Sequence, residues 1–222
     1  MTGTEWRDPE FATSWAAQDV LPDLLLLPRQ IASAIVARDR PGCQLVVDLG
    51  SGPGAFLTRF LEQFPDAAGL WTDVSPAMEE LARPSLSRFS DRVTYQIVEM
   101  PDLSPLPSGV DVITTSRASH HLEVHALRAF YAQAHAHLAP GGWLVNLDHT
   151  YGVSERWDAR LRAARTALVP PPAAPRPEHH HTHRAPTVAE HMSALADAGF
   201  ADAEIPWRAF PTCLVMARRD DG

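Results

Sequence analysis

Gln44-Leu45-Val46-Val47-Asp48-Leu49-Gly50-Ser51-Gly52-Pro53-Gly54 is the stretch on which the fold turns. An apolar run ends in an acid and passes into three glycines within five residues. Behind them, Ala55 to Phe64 carries Phe56, Leu57, Phe60, Leu61 and Phe64 at helical spacing, so the whole predicts a β-loop-α unit. Glycines at such a loop admit positive φ and let a ligand approach the main chain where a Cβ would collide. Asp48 at the strand end sets a negative charge where a dinucleotide pyrophosphate would be repelled, which favours a cationic ligand. A tight turn with no ligand is the plain alternative for a lone glycine-rich loop.

Outward from this unit the chain alternates strand-like and helix-like segments, the pattern of an α/β domain on a mostly parallel sheet. Gly69 to Thr72, ending at Asp73, predicts a second strand, with a helix through Met78 to Ala82 after it. Val93 to Val98, ending at Glu99, predicts a third, and Val110 to Thr115 a fourth. Glu123 to Leu138 reads as a helix, Ala139 to Gly142 as a turn and Trp143 to Asp148 as strand five. Glu155 to Leu168 reads as helical, and Val169 to Pro177, with five prolines in nine residues, cannot be a sheet strand. Thr187 to Ala198 predicts a helix with Thr187 as N-cap and Glu190 completing a capping box. Ile205 to Phe210 and Thr212 to Arg218 are the last two strands. The expected division is one domain over residues 1–222. Residues 1–42 form a helical cover (Trp15, Val20, Leu24 and Leu27 available to pack), 43–150 the cofactor-binding core, 151–186 a Pro/His-rich cap insertion, and 187–222 the last helix and hairpin.

Composition narrows the chemistry. All 19 basic residues are arginine, which excludes a lysine Schiff base, a lysine nucleophile and the lysine of a phosphate-binding P-loop. A net charge of −8 without a basic run argues against nucleic acid and anionic membranes as partners. No apolar stretch reaches the roughly 20 residues a bilayer crossing needs. Cys43 and Cys213, far apart behind an amino terminus with no apolar signal core, read as free thiols of a soluble, cytoplasmic protein.

Gly50, Gly52 and Ala55 also fit the looser G-x-G-x-x-A dinucleotide pattern, and Asp73 suits either ligand because both present a ribose diol. Asp48 together with Leu138-Ala139-Pro140-Gly141-Gly142 tips the balance: from about Gln44 to the C-terminus the chain resembles the class I S-adenosylmethionine-dependent methyltransferases, in their small-molecule branch, which includes quinone-biosynthesis and natural-product tailoring enzymes. The resemblance implies a Rossmann-like, mostly parallel seven-stranded sheet with helices on both faces and an antiparallel last strand. It implies S-adenosyl-L-methionine as cofactor, cradled by Asp48, Gly50, Ser51, Gly52 and Gly54. Asp73, with Val74 beside it, would take the ribose, Glu99 and Met100 the adenine, and Ser116 the amino-acid end.

Ligands of open α/β sheets bind outside the carboxyl ends of the strands, which makes the segments after strands four and five the acceptor-site candidates. Ser119, His120, His121, Asp148, His149 and Tyr151 lie there. Methyl transfer needs alignment, and a base when the acceptor is protic. His121 and His149 are the candidate bases, since imidazole titrates near neutrality; the plain reading of His120 and His121 is that they finish the strand and pack the following helix. Trp15, His120, Tyr151 and His183 are candidate substrate contacts. The run Glu178 to His183 has ligand chemistry for a metal, yet neighbouring residues of an extended loop point apart, and no metal site is expected. The expected function is methyl transfer to an O, N, S or C atom of a small molecule. A non-methylating cyclisation, elimination or rearrangement in the same pocket and a non-catalytic binding protein are the alternatives. A homodimer is a candidate assembly.

Overall fold

The computed structural model describes residues 5–17, 22–169 and 183–222. Seven strands form one sheet in the order β3-β2-β1-β4-β5-β7-β6. They are β1 (Leu45–Leu49), β2 (Ala68–Asp73), β3 (Val93–Ile97), β4 (Val110–Ser116), β5 (Leu138–His149), β6 (Asp202–Ala209) and β7 (Thr212–Arg218). β1 to β5 are mutually parallel, and β7 runs antiparallel between β5 and β6. The helices are α1 (Pro9–Ala17), α2 (Pro22–Asp39), α3 (Ala55–Gln63), α4 (Pro76–Ser85), α5 (Val124–His137), α6 (Glu155–Leu168) and α7 (Val188–Asp197).

The sheet is buried on both faces, as parallel sheets must be, so its strands read as nearly unbroken apolar runs. Consecutive residues still point to opposite sides. Val46, Trp71, Val112 and Val145 join the core beneath α2, α3 and α4, while Val47, Leu70, Ile113 and Leu144 join the core beneath α5 and α7. Cys43 and Cys213 are buried and unpaired, and burial pushes both thiols up to about 12, which makes them packing residues rather than nucleophiles. Among the described residues no helix is long and apolar enough to cross a membrane.

Several element ends depart from the sequence expectation for local reasons. Helix α4 begins at Pro76, earlier than Met78, because Ser75 caps it by accepting from the Met78 N–H and Pro76 fills the first turn, where no amide partner is needed. The expected turn at Ala139 to Gly142 is absorbed into β5: Leu138 pairs with Val110, and the register then shifts before Trp143 pairs with Val112, the left-handed Gly141 (φ +69) taking up the irregularity. Strand β6 starts at Asp202 rather than Ile205, with its register broken between Glu204 and Trp207, where Pro206 has no N–H to donate and the strand lies at the sheet edge. Thr187 and Glu190 form the expected capping box on α7. Leu27, offered above for packing, is exposed. Val20, the proline run and His179 to His181 lie outside the described residues.

Candidate functional site

Strand order reverses between β1 and β4, and the crevice at such a switch point is where open α/β sheets place their ligands. A cleft opens there, walled by the ends of β1, β2, β3 and β4 and roofed by the N-terminal cover. Of the residues singled out from the sequence, Asp48, Gly50, Ser51, Gly52, Asp73, Val74, Glu99, Met100, Ser116, Trp15 and His121 line it. Gly54, His120, His149, Tyr151 and His183 do not.

The glycine loop is held from below. Asp48, fully buried, accepts from Ser51 Oγ (2.6 Å), the Leu57 N–H (3.1 Å) and Thr114 Oγ1 (2.7 Å). Burial raises its carboxyl to about 6 despite those bonds. The Asp73 carboxylate accepts the Gly52 N–H (2.9 Å) and the Ser75 N–H (3.0 Å), and Trp71 Nε1 donates to the Gly52 carbonyl (2.8 Å). Burial raises the Asp73 carboxyl as well. Each acid therefore first shapes the loop. Gly50 sits at φ +60 with the Ala118 methyl 2.8 Å from where a Cβ would stand. At Gly52 (φ +53) a Cβ would project into open cleft, its nearest neighbour Met78 Sδ at 4.0 Å. Gly54 serves differently, as the left-handed N-cap of α3 packed on Leu86.

The opposite wall carries Ser116, whose hydroxyl is buried without a hydrogen-bond partner among the described residues, then Arg117 at φ +55 and His121. Glu99 reaches the cleft edge with its carboxylate on the Arg7 guanidinium (2.6 Å), which ties the N-terminal cover to the end of β3. Trp6 packs edge-on against Trp15 (5.4 Å) and His121 (6.0 Å), closing the roof with aromatic rings.

Behind His121 lies a buried polar network. Asp148 accepts from Ser119 Oγ (2.8 Å), the His120 N–H (3.0 Å) and His120 Nδ1 (2.7 Å). Burial alone would raise its carboxyl, but the neighbouring His120 ring and its hydrogen bond hold it well below the usual carboxylate range. An ionised Asp148 can only accept, so His120 Nδ1 carries the proton. The His120 ring lies 3.9 Å from that of His121. Asn146 donates to Ser119 Oγ (2.8 Å) and to Tyr131 Oη (3.0 Å), and Tyr131 reaches His191 Nδ1 (2.6 Å). His149 is spent elsewhere, its Nδ1 on Thr212 Oγ1 (3.0 Å) and its basicity lowered to about 3, first by burial and then by the charge of His120. Tyr151 bridges to Thr187 beneath the Arg184 guanidinium.

Arg29 and Trp6 line the cleft although nothing in the sequence reading singled them out. Arg29 is nearly buried, 5.9 Å from the Phe56 ring centroid, and its charge acts on Asp48. A lone arginine within the apolar run of α2 was the available signal. Asn146, a polar residue inside the apolar run of β5, was the signal for the network.

Residues 47–144 match a family model described as a methyltransferase domain. A 3-amino-4-hydroxybenzoate 4-O-methyltransferase of Streptomyces cremeus is 34% identical over 108 residues, 48% of this chain and 29% of that protein. A malonyl-[acyl-carrier protein] O-methyltransferase of Geobacter sulfurreducens is 31% identical over 160 residues, 72% of this chain and 57% of that protein. The chain thus spans less than two thirds of the length of either relative. Human N-acetylserotonin methyltransferase, solved in complex with S-adenosylmethionine, superposes with a TM-score of 0.68 at 18% identity over 97% of this chain and 57% of that one.

Proposed function

We propose that this chain, which belongs to the class I S-adenosylmethionine-dependent methyltransferases, moves the sulfonium methyl of that cofactor to an oxygen of a small-molecule acceptor. One observation carries the reading: a single cleft joins the glycine loop, Asp73 and Ser116 to an imidazole, His121. The residues fit the cofactor. Gly52 leaves open space where a Cβ would intrude, and the buried Ser116 hydroxyl, without a partner among the described residues, could take one from a ligand's amino-acid group. Asp73 keeps lone pairs for a ribose diol, and Arg29 is placed for a carboxylate. Both curated relatives are O-methyltransferases by name, which favours oxygen.

S-adenosylmethionine supplies an electrophilic methyl group when bound. The chain's own part is alignment and proton removal. His121 takes the acceptor's hydroxyl proton as the oxygen becomes nucleophilic. His120, fixed on Asp148, packs against the His121 ring and limits its rotation. Trp6 and Trp15 cover the cleft and exclude water. His149, off the cleft and weakly basic, has no part in proton transfer.

The test is S-adenosylhomocysteine formation, followed by mass spectrometry, with a panel of phenols, carboxylic acids and amines. Oxygen-methylated product with concurrent S-adenosylhomocysteine is expected. Thermal protection by NAD and none by saturating S-adenosylhomocysteine would overturn the reading.

A further inference from the structure

We propose that Arg117 selects acceptors carrying a carboxylate, a specificity that rests on the methyl-transfer reading above. Arg117 follows directly on β4 at φ +55 with its N–H on the Leu147 carbonyl (3.1 Å). A non-glycine residue in that conformation is strained, and such strain persists where the surroundings fix it, commonly at functional sites. The left-handed position turns the chain at the end of β4, and Arg117 lines the cleft beyond Ser116, on the wall that continues to Ala118 and His121, its charge also acting on His149.

The cleft's charges divide by strand. Among the described residues its three carboxylates, Asp48, Asp73 and Glu99, stand at the ends of β1, β2 and β3, the side that the cofactor's ribose and adenine would occupy. Each is already engaged, by Ser51, by Gly52 and Ser75, and by Arg7 respectively. Arg29 stands near Asp48 and Phe56, on the glycine-loop side. Among the described residues, the wall at the end of β4 is made of Ser116, Arg117, Ala118 and His121, with a cationic residue and an imidazole-bearing one and no acid, under a roof of Trp6 and Trp15. A guanidinium binds a carboxylate through two parallel N–H bonds, which a neutral amide cannot reproduce. A flat or short acid, with its nucleophilic oxygen toward His121, suits this combination of aromatic cover and fork-shaped cation.

The test is calorimetric titration of the S-adenosylhomocysteine-loaded protein with two matched pairs: 4-hydroxybenzoate against 4-hydroxybenzamide, and succinate against succinamide. At least one acid should bind ten-fold or more tightly than its amide. Arg117→Asn, which tolerates positive φ, should shrink that preference to within about two-fold, and Arg117→Lys should keep an intermediate one. Unchanged S-adenosylhomocysteine affinity in Arg117→Asn shows that the fold and the cofactor side survive. Wild-type protein that binds S-adenosylhomocysteine but neither acid better than its amide overturns the proposal, as does a preference that survives in Arg117→Asn. Failure to bind S-adenosylhomocysteine at all would instead sink the methyl-transfer reading.

Discussion

Gly50 combines a left-handed φ of +60 with a methyl group 2.8 Å from the site of its missing Cβ, so alanine there meets both backbone strain and a clash with Ala118. Gly50→Ala should cost about 1–3 kcal/mol and lower the melting temperature by several degrees even without ligand; an unchanged melting curve would mean that the loop is not fixed as described. Asp73→Ala removes two loop contacts and the proposed ribose acceptor. Charge-assisted bonds of this kind are worth about 1.5–3 kcal/mol each, so S-adenosylhomocysteine affinity should fall by at least ten-fold in calorimetry. His121→Gln should reduce turnover of a protic acceptor by about 10²–10⁴ and leave cofactor affinity near wild type. His149→Gln should leave turnover nearly intact, because that ring faces Thr212 instead of the cleft.

At the scale of elements, α7 starts from a complete capping box, in which Thr187 Oγ1 accepts the Glu190 N–H (3.2 Å) and Glu190 accepts the Thr187 N–H (2.7 Å). Arg184 doubles the hold on Glu190 and lowers its carboxyl to about 2. Since α7 packs on α5 and carries His191 into the polar network, loosening its first turn reaches the core as well as the surface. Thr187→Ala should cost about 1 kcal/mol, read as a drop of about 2–4 °C in melting temperature. Both cap residues were legible in sequence because capping is a local rule of three-residue spacing. The extra length of β5 and β6 was not, since strand ends are set by what the neighbouring strand offers to pair.

For the whole molecule, the buried histidines set the response to acid. His191 is fully buried, and burial lowers its pKa from 6.5 to about 4. Above pH 6.5 it is neutral folded or unfolded and contributes nothing to the difference. Between pH 6.5 and 4 the unfolded chain binds a proton that the folded one refuses, so stability falls as pH falls, by about 2 kcal/mol at pH 5 from this group. His149 pulls the same way. Asp48, raised to about 6, opposes them, because its buried anion destabilises the fold increasingly as pH rises from 3.8 to 6. The informative comparison is therefore between proteins: His191→Gln should lose less melting temperature from pH 7 to pH 5 than wild type. Equal losses would show that His191 titrates normally in the folded state.

The β-loop-α unit at Gln44 to Phe64, the alternation that makes a parallel sheet, and the acids near the ends of strands one to three are all legible in the chain's local pattern. Each of these is written locally, in residue periodicity or in a glycine's conformational freedom. Which histidine faces the cleft was decided only by tertiary structure. His120 and His121 are adjacent, yet a 3-10 turn sends one ring to Asp148 and leaves the other under Trp6. The sequence implied that His149 follows strand five, but β7 pairs along β5 as far as His149, and Thr212 claims its ring. Arg29 and Trp6 enter the cleft from a segment whose pattern announced only packing. Direction of a side chain depends on partners distant in sequence, and those partners meet only when the sheet is complete.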